Sequence, residues 1–395
     1  MVRRAERGVS RQRYLETVWW TAVAVLALFA WGCARGERSP EEIRIGFLVD
    51  ESTLSAEATV QAAELAVAMV NSAGGVEVGG RRLPVRLLQE STGDTPEGTV
   101  RATLELINRE RAVAVVGSSF SRNAIPSGEV AERAGVPMIC PGSTHPRTTA
   151  GRRYVFRVAF VDSFQGRAMA RFARDELGLD TAAVLYDVAD SYSRDVADLF
   201  RRVFEAAGGR VVAFESFTSG ESDFRPQLER IRDADPDAVF LPNFSQDVPV
   251  QGRQLRALGI DAVLLGSDSW LVELARHPEL DGAYFTRSWH RDLAESSPEA
   301  EAFRARYREL HGSEPDELVA LTYDAFGLLF AALADAPRVA PEEIRAALAR
   351  IDGHRGLTGP ISYRGRGGDP RKNAAIVRIE DGEVRLFELV EAKER

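Results

Sequence analysis

From Ile43 onward, short apolar β-like runs alternate with helical stretches, and no other feature of the chain restricts its fold as tightly. "IRIGFLVD" (43–50) reads as a strand, and residues 56–73 as an amphipathic helix stopped by Gly74-Gly75. "LPVRLLQE" (83–90) is the next strand. A helix follows in "GDTPEGTVRATLELIN", with Asp94 or Thr95 as its cap and Pro96 in its first turn. "AVAVVG" (112–117) is an unbroken apolar run, as expected of a strand covered on both faces. A helix over 122–134 leads to "VPMIC" (136–140). Strands alternating with helices make βαβ units, and these build a parallel sheet.

A second series starts near Tyr154. "TAAVLYD" (181–187), a helix over 191–207 ending at Gly208-Gly209, "RVVAFESF", a helix over 223–233, "DAVFLP" (237–242), a helix over 247–258 and "AVLLG" (262–266) complete it. Helices near 297–311, 315–335 and 341–350 come after "GAYFTRSW" (282–289), and hairpin-like strands at 359–363, 373–380 and 384–390 end the chain. Two such series predict two doubly wound lobes. In open sheets of this kind ligands sit beyond the carboxyl ends of the strands, so those loops are where function is sought.

The first residues are of another kind. Arg3, Arg4, Arg7, Arg11 and Arg13 precede an apolar run from Val18 to Trp31, which stops at Gly32-Cys33. A basic segment followed by a short apolar one has the build of an export signal, and the run falls short of the roughly 20 residues that span a bilayer. The expectation is a signal peptide over 1–32, a lipidated Cys33 and a polar tether over 33–41. Cleavage without lipid and a short uncleaved anchor are the alternatives. Ala30 and Trp31 depart from the residues favoured before a lipidated cysteine.

Residues 1–32 contribute +3 to a net charge of −9, so the remainder carries −12. A nucleic-acid partner needs a basic face and is not expected. Beyond Cys33 the only cysteine is Cys140, which excludes an internal disulfide. An enzyme is not expected either. Cys140 and His145 could suggest a thiol nucleophile and its base, yet Cys140 ends a buried-looking strand, where a lone cysteine acts as a small hydrophobe. His277, His290, His311 and His354 have no metal-ligand spacing, and there is no P-loop, nucleophile elbow or dinucleotide fingerprint. No metal or cofactor is implied.

The strand ends carry hydroxyls. "GSSFSRNAIP" follows the 112–117 strand with Ser118, Ser119 and Ser121, and "PGSTHP" follows the 136–140 strand with Ser143 and Thr144. Hydroxyls and free N–H groups at helix starts suit an anion, although Ser and Thr also simply cap helices.

With these segments in order ("IRIGFLVD", "ICPGSTHP", "VFRVAFVDSFQG", "LYDVADSYSRDVADLF", "FTSGESDFRPQL", "QLRALGI" and "LTGPISY") the chain from about Ile43 to Glu388 resembles the branched-chain amino-acid-binding family, the type I periplasmic solute receptors of ABC transporters. The resemblance implies two doubly wound parallel-sheet lobes joined by three hinge crossovers, near 159–162, 286–290 and 356–360. Lobe one would be 42–160 and 289–357, and lobe two 161–288 and 358–390. It also implies a site. Ser121 with Gly142, Ser143 and Thr144 would hold a ligand carboxylate, Tyr192 and Phe244 would close from lobe two, and Asp268 in "LLGSDSW" would meet the ligand ammonium. A zwitterion leaving water needs both charges met, which this division of labour provides.

The implied protein is a monomeric, exported, lipid-anchored Leu/Ile/Val-type receptor that hands an amino acid to an ABC permease. Two departures leave the ligand open among amino acids, amides and small carboxylates. The loop after the first strand, "DESTLSAEAT", is acidic and lacks glycine, and Arg122 follows Ser121, where it either selects an extra negative charge or is a solvated surface residue. A sensor signalling through a separate membrane partner, or a structural lipoprotein with no cleft, are the rival readings.

Overall fold

A computed structural model describes residues 41–51, 56–293 and 298–392. The expected signal peptide, Cys33 and all but the last residue of the tether lie outside these residues, as do positions 52–55 of the acidic loop.

The described strands are β1 (Ile43–Val49), β2 (Val76–Val78), β3 (Arg81–Leu83), β4 (Val85–Ser91), β5 (Ala114–Val116), β6 (Met138–Cys140), β7 (Val155–Arg157), β8 (Thr181–Asp187), β9 (Arg210–Phe217), β10 (Ala238–Leu241), β11 (Val263–Gly266), β12 (Tyr284–Arg287), β13 (His354–Gly356), β14 (Gly359–Ile361), β15 (Ala374–Glu380) and β16 (Glu383–Val390). The α-helices are α1 (Ala56–Ser72), α2 (Pro96–Leu104), α3 (Ser121–Ala134), α4 (Asp162–Arg171), α5 (Ser191–Ala206), α6 (Arg225–Asp233), α7 (Val248–Ala257), α8 (Pro298–His311), α9 (Glu317–Asp335) and α10 (Pro341–Arg350).

Two sheets organise two lobes. The first runs β4-β1-β5-β6-β7 and is parallel throughout. The second runs β16-β15-β12-β11-β10-β8-β9; β9, β8, β10, β11 and β12 are parallel, and β15 and β16 add an antiparallel ribbon at one edge. The parallel part of each sheet has the same winding, with the order reversing beside its first strand, β1 or β8. A doubly wound sheet opens a crevice at that reversal. Expected and observed elements differ in several places. β7 belongs to the first sheet although the second series was expected from Tyr154, and α4 has no counterpart among the expected elements. β15 and β16 make the second sheet mixed, β14 pairs only with β13, and β2 and β3 form a small separate hairpin.

Local chemistry sets the ends. Thr95 is the cap of α2, its Oγ1 accepting from Gly98 N at 3.0 Å, and Pro96 takes the first helical position, where no N–H is needed. Asp190 caps α5 through Ser193 N at 2.9 Å, and Asp316 caps α9 through Val319 N at 2.8 Å. The first lobe's core sets Ile43, Ile45 and Phe47 of β1 against Leu321, Phe326 and Leu329 of α9. In the second lobe one face buries Leu241, Trp270 and Phe285, and the other stacks Phe200 on Phe240 at 4.3 Å. Fully burying side chains of this size stabilises by about 1.5–3 kcal/mol each.

The chain passes between the lobes three times, and a buried ionisable residue sits at each passage. At the first, Asp162 N donates to Thr144 O at 2.9 Å. At the second, Arg287 Nε stands 3.0 Å from Glu317 Oε2, with both side chains buried. At the third, Asp324 accepts from Leu357 N at 2.6 Å and Thr358 N at 2.9 Å, while Lys372 Nζ donates to Thr358 O at 3.1 Å.

Candidate ligand cleft

On the first lobe the site begins with Asp50, at the end of β1. This buried carboxylate accepts from Ser118 Oγ at 2.7 Å, Ser119 N at 2.8 Å and Thr92 Oγ1 at 3.2 Å, and so shapes the turn from β5 into α3. Desolvation raises its pKa against those bonds. Ser121 then opens α3, and its Oγ lies 3.1 Å from Ser143 Oγ. Ser143 continues to Thr148 Oγ1 at 2.8 Å, and His145 N donates to Ser121 Oγ at 3.3 Å. Gly142 allows close approach, because a Cβ there would stand 2.8 Å from Leu318 Cδ2 at the start of α9 and would have to push that side chain aside.

Arg157 fastens the "PGSTHP" loop from beneath. It is fully buried, donates to Ser143 O at 2.9 Å, His145 O at 2.8 Å and Thr149 Oγ1 at 2.8 Å, and pairs with Asp369 at 2.8 Å. A planar five-donor fork is suited to holding several carbonyls in one loop.

On the second lobe, Tyr192 in the first turn of α5 donates its hydroxyl to Asp268 Oδ1. Gln165 of α4 donates through one Nε2 to Asp268 Oδ1 and to Asp162 Oδ1, each at 2.8 Å. Its Oε1 accepts from Thr286 Oγ1 at 2.8 Å and Asp268 N at 3.2 Å. Asp162 Oδ2 is buried and has no hydrogen-bond partner of normal geometry. Burial pushes the Asp162 carboxyl up to about 6 against the opposing Thr144 hydroxyl and Gln165 amide. Burial, then the Asp162 charge, pushes Asp268 up to about 7. Two acids held close in a desolvated pocket, one with an oxygen left over, favour a cationic group between them.

Aromatic rings span the two lobes. Phe120 meets Phe244 edge-on with centroids 6.0 Å apart, and Phe244 lies 5.6 Å from Tyr192. Arg122 covers Phe120 at 4.7 Å and reaches Phe244 at 6.0 Å, a cation–π arrangement at the rim. Asn243 ties the second-lobe loops together, accepting from Ser193 Oγ at 3.0 Å and donating to Leu185 O at 2.9 Å.

The candidate residues therefore fall into two groups. Ser121, Gly142, Ser143 and Thr144 stand on the first lobe, and Tyr192, Phe244 and Asp268 on the second; the Thr144 hydroxyl beside Asp162 and Phe120 against Phe244 connect them. Asp268 caps no helix, since the next helical turn begins at Val272. Asp162, Gln165, Arg157 and Asp50 received no role from sequence reasoning. The first three lie within the quoted "VFRVAFVDSFQG", which was the available signal.

Cys140 is buried, and burial pushes its thiol up to about 12, so it remains a neutral hydrophobe. The His145 ring faces Asp195 and Arg147 N. Among the described residues no group of three His, Cys, Asp or Glu side chains is arranged to hold a metal ion.

Comparison with known proteins agrees with this architecture. An amino acid binding protein of Pseudomonas aeruginosa is 29% identical over 205 residues, 52% of this chain and 54% of that protein. The chain thus spans about half the length of the first curated relatives it matches. A crystal structure of a leucine binding protein from Thermotoga maritima superposes with a TM-score of 0.80 at 29% identity, covering 88% of this chain and 99% of that one. The substrate binding protein of a branched-chain amino acid transporter from Streptococcus pneumoniae, solved with isoleucine, gives a TM-score of 0.80 at 28% identity over 89% and 99% of the two chains. The family model for periplasmic binding proteins matches residues 42–383, and this chain belongs to that family of solute-binding proteins, which are not enzymes.

Proposed function

We propose that this chain is an extracytoplasmic solute-binding lipoprotein of an ABC importer. It binds one amino acid, or a closely related amine-bearing carboxylate or amide, by closing two hinged lobes on it. The observation that carries this reading is the unpartnered, buried Asp162 Oδ2, joined to Asp268 through Gln165, with the Ser121–Ser143 hydroxyls on the other lobe. One end of the cleft suits an ammonium and the other a carboxylate. Ser121, Gly142, Ser143 and Thr144 hold the carboxylate, and Asp268 with Asp162 meets the amine. Tyr192 and Phe244 wall the side chain. A relative's complex with isoleucine supports an aliphatic ligand.

The lobes in this reading are 42–160 with 289–357, and 161–288 with 358–390. The first sheet's strands all lie within 43–157, and the second's within 181–287 and 374–390. Recognition passes to a membrane permease because a partner can distinguish the closed from the open arrangement. Lipid on Cys33 keeps the monomer at the membrane.

A thermal-shift screen of amino acids, amides and small organic acids tests the proposal. A true ligand raises the melting temperature in proportion to ln(1 + [L]/Kd). L-Leucine or another amino acid should stabilise the protein, and 4-methylpentanoate, which lacks the amine, should not. A protein indifferent to every amino acid and amide would sink the reading.

A further inference from the structure

His145 touches both lobes. Its backbone N–H donates to Ser121 Oγ at 3.3 Å and its carbonyl accepts from Arg157 Nη2 at 2.8 Å, so its main chain is part of the hydroxyl cradle's frame. Its ring reaches α5 of the other lobe, where Nε2 stands 2.9 Å from Asp195 Oδ2. Nδ1 accepts from Arg147 N at 3.0 Å, which in the neutral ring places the proton on Nε2, pointing at the carboxylate. Pro146 follows and holds His145 extended, with φ −63° and ψ 134°. The ring direction is therefore set within the first lobe, before the second arrives. Asp195 gives its other oxygen to Arg194 Nε at 3.2 Å, leaving Oδ2 for the histidine. The His145 side chain is 4% exposed while the Asp195 side chain is 46% exposed, so the pair lies where the contact between lobes meets solvent.

We propose that His145 is a positioning residue whose bond to Asp195 latches the closed lobes, coupling the occupied cradle to closure. This rests on the reading of the cleft as a ligand site. It assigns a role to a cradle-loop side chain that contacts no ligand itself. A latch present only in the closed form slows ligand escape and leaves encounter with the open form unchanged.

The test uses Asp195→Ala, Asp195→Asn, His145→Ala and the His145→Ala/Asp195→Ala double variant, with L-leucine as the probe. Stopped-flow dissociation and interlobe distances from paired spin labels are read, each with and without L-leucine. Asp195→Ala should speed dissociation by about three- to tenfold at an unchanged association rate, a range expected for one partly exposed hydrogen bond. It should also deplete the short interlobe distance. Asp195→Asn keeps an acceptor and should restore wild-type behaviour. The double variant should dissociate no faster than His145→Ala, because one bond cannot be lost twice. An unchanged rate and distance in Asp195→Ala overturns the latch. Wild-type protein blind to L-leucine counts against an aliphatic ligand, and the distances without L-leucine then decide alone. A short-distance population that Asp195→Ala depletes supports the latch, and none, or an unchanged one, overturns it.

Discussion

The Gln165 amide stands 2.8 Å from Asp268 Oδ1 and holds that carboxylate oxygen in place. Tyr192 donates to the same oxygen, so two donors converge on Asp268 Oδ1 beside the buried, unpartnered Asp162 Oδ2. Gln165 also spans α4, the loop after β11 and β12, so one side chain aligns three parts of the second lobe.

Asp268→Asn should weaken amino-acid binding by about tenfold or more, equivalent to about 1.4 kcal/mol. Isothermal titration calorimetry measures this directly. Equal affinity in the two proteins would remove Asp268 from the site.

Acid should weaken the same binding. The ionised carboxylates attract an ammonium, and with Asp162 up to about 6 and Asp268 up to about 7, affinity is full above that range and lost as pH falls through it. Binding should release protons, seen as a calorimetric enthalpy that changes with the buffer. Stability without ligand has the opposite sign. The fold favours both acids neutral, so their contribution is present in acid and is lost as pH climbs from about 4, the ordinary carboxyl value, through 6 and 7. Melting temperatures across that interval should fall less steeply in Asp268→Asn than in wild type.

Arg157→Met should destabilise the protein by about 2–4 kcal/mol, because the buried carbonyls of Ser143 and His145 lose their donor and the partly exposed Asp369 its partner. Urea unfolding reads the loss. A change under about 1 kcal/mol would mean that the loop is held by something else.

Cys140 should resist thiol reagents in the native protein and react only on unfolding, since it is both buried and held neutral. Peptide mapping after labelling distinguishes it from Cys33. Native labelling at Cys140 would contradict its place at the end of β6.

Membrane-extracted protein should have the mass of a chain starting at Cys33 with lipid attached, and Cys33→Ala should leave the protein unlipidated. An intact mass without lipid excludes the anchor.

Much of the fold was legible because parallel strands announce themselves. β1, β5, β8 and β10 are near-continuous apolar runs with few other interpretations. What escaped was α4, whose buried face is made of Asp162, Gln165, Gly166, Ala168 and Met169. Small and polar residues show no apolar period, and Gly166 is small because α5 packs closely there, where a Cβ would meet Leu199 Cδ2 at 2.8 Å. The helix that hides from hydrophobic patterning is also the one that supplies Asp162 and Gln165. The antiparallel edge was missed for a related reason: β16 alternates exposed and covered positions and reads as a free hairpin. The hydroxyl groups after β5 and β6 stood out by their chemistry. Arg157 did not, because nothing in a single sequence separates a buried arginine from many exposed ones.

The ties at the three passages between lobes have a mechanical consequence. Glu317 with Arg287, and Asp324 with Lys372 through Thr358, fix strand ends that could otherwise slide lengthwise. Pulling the partners of either pair apart would strand a desolvated charge, so shear along the passages is costly. In the proposed closure, motion is then confined to torsions within a few intervening peptides, so the lobes would swing like a gate on three short pins that scarcely stretch.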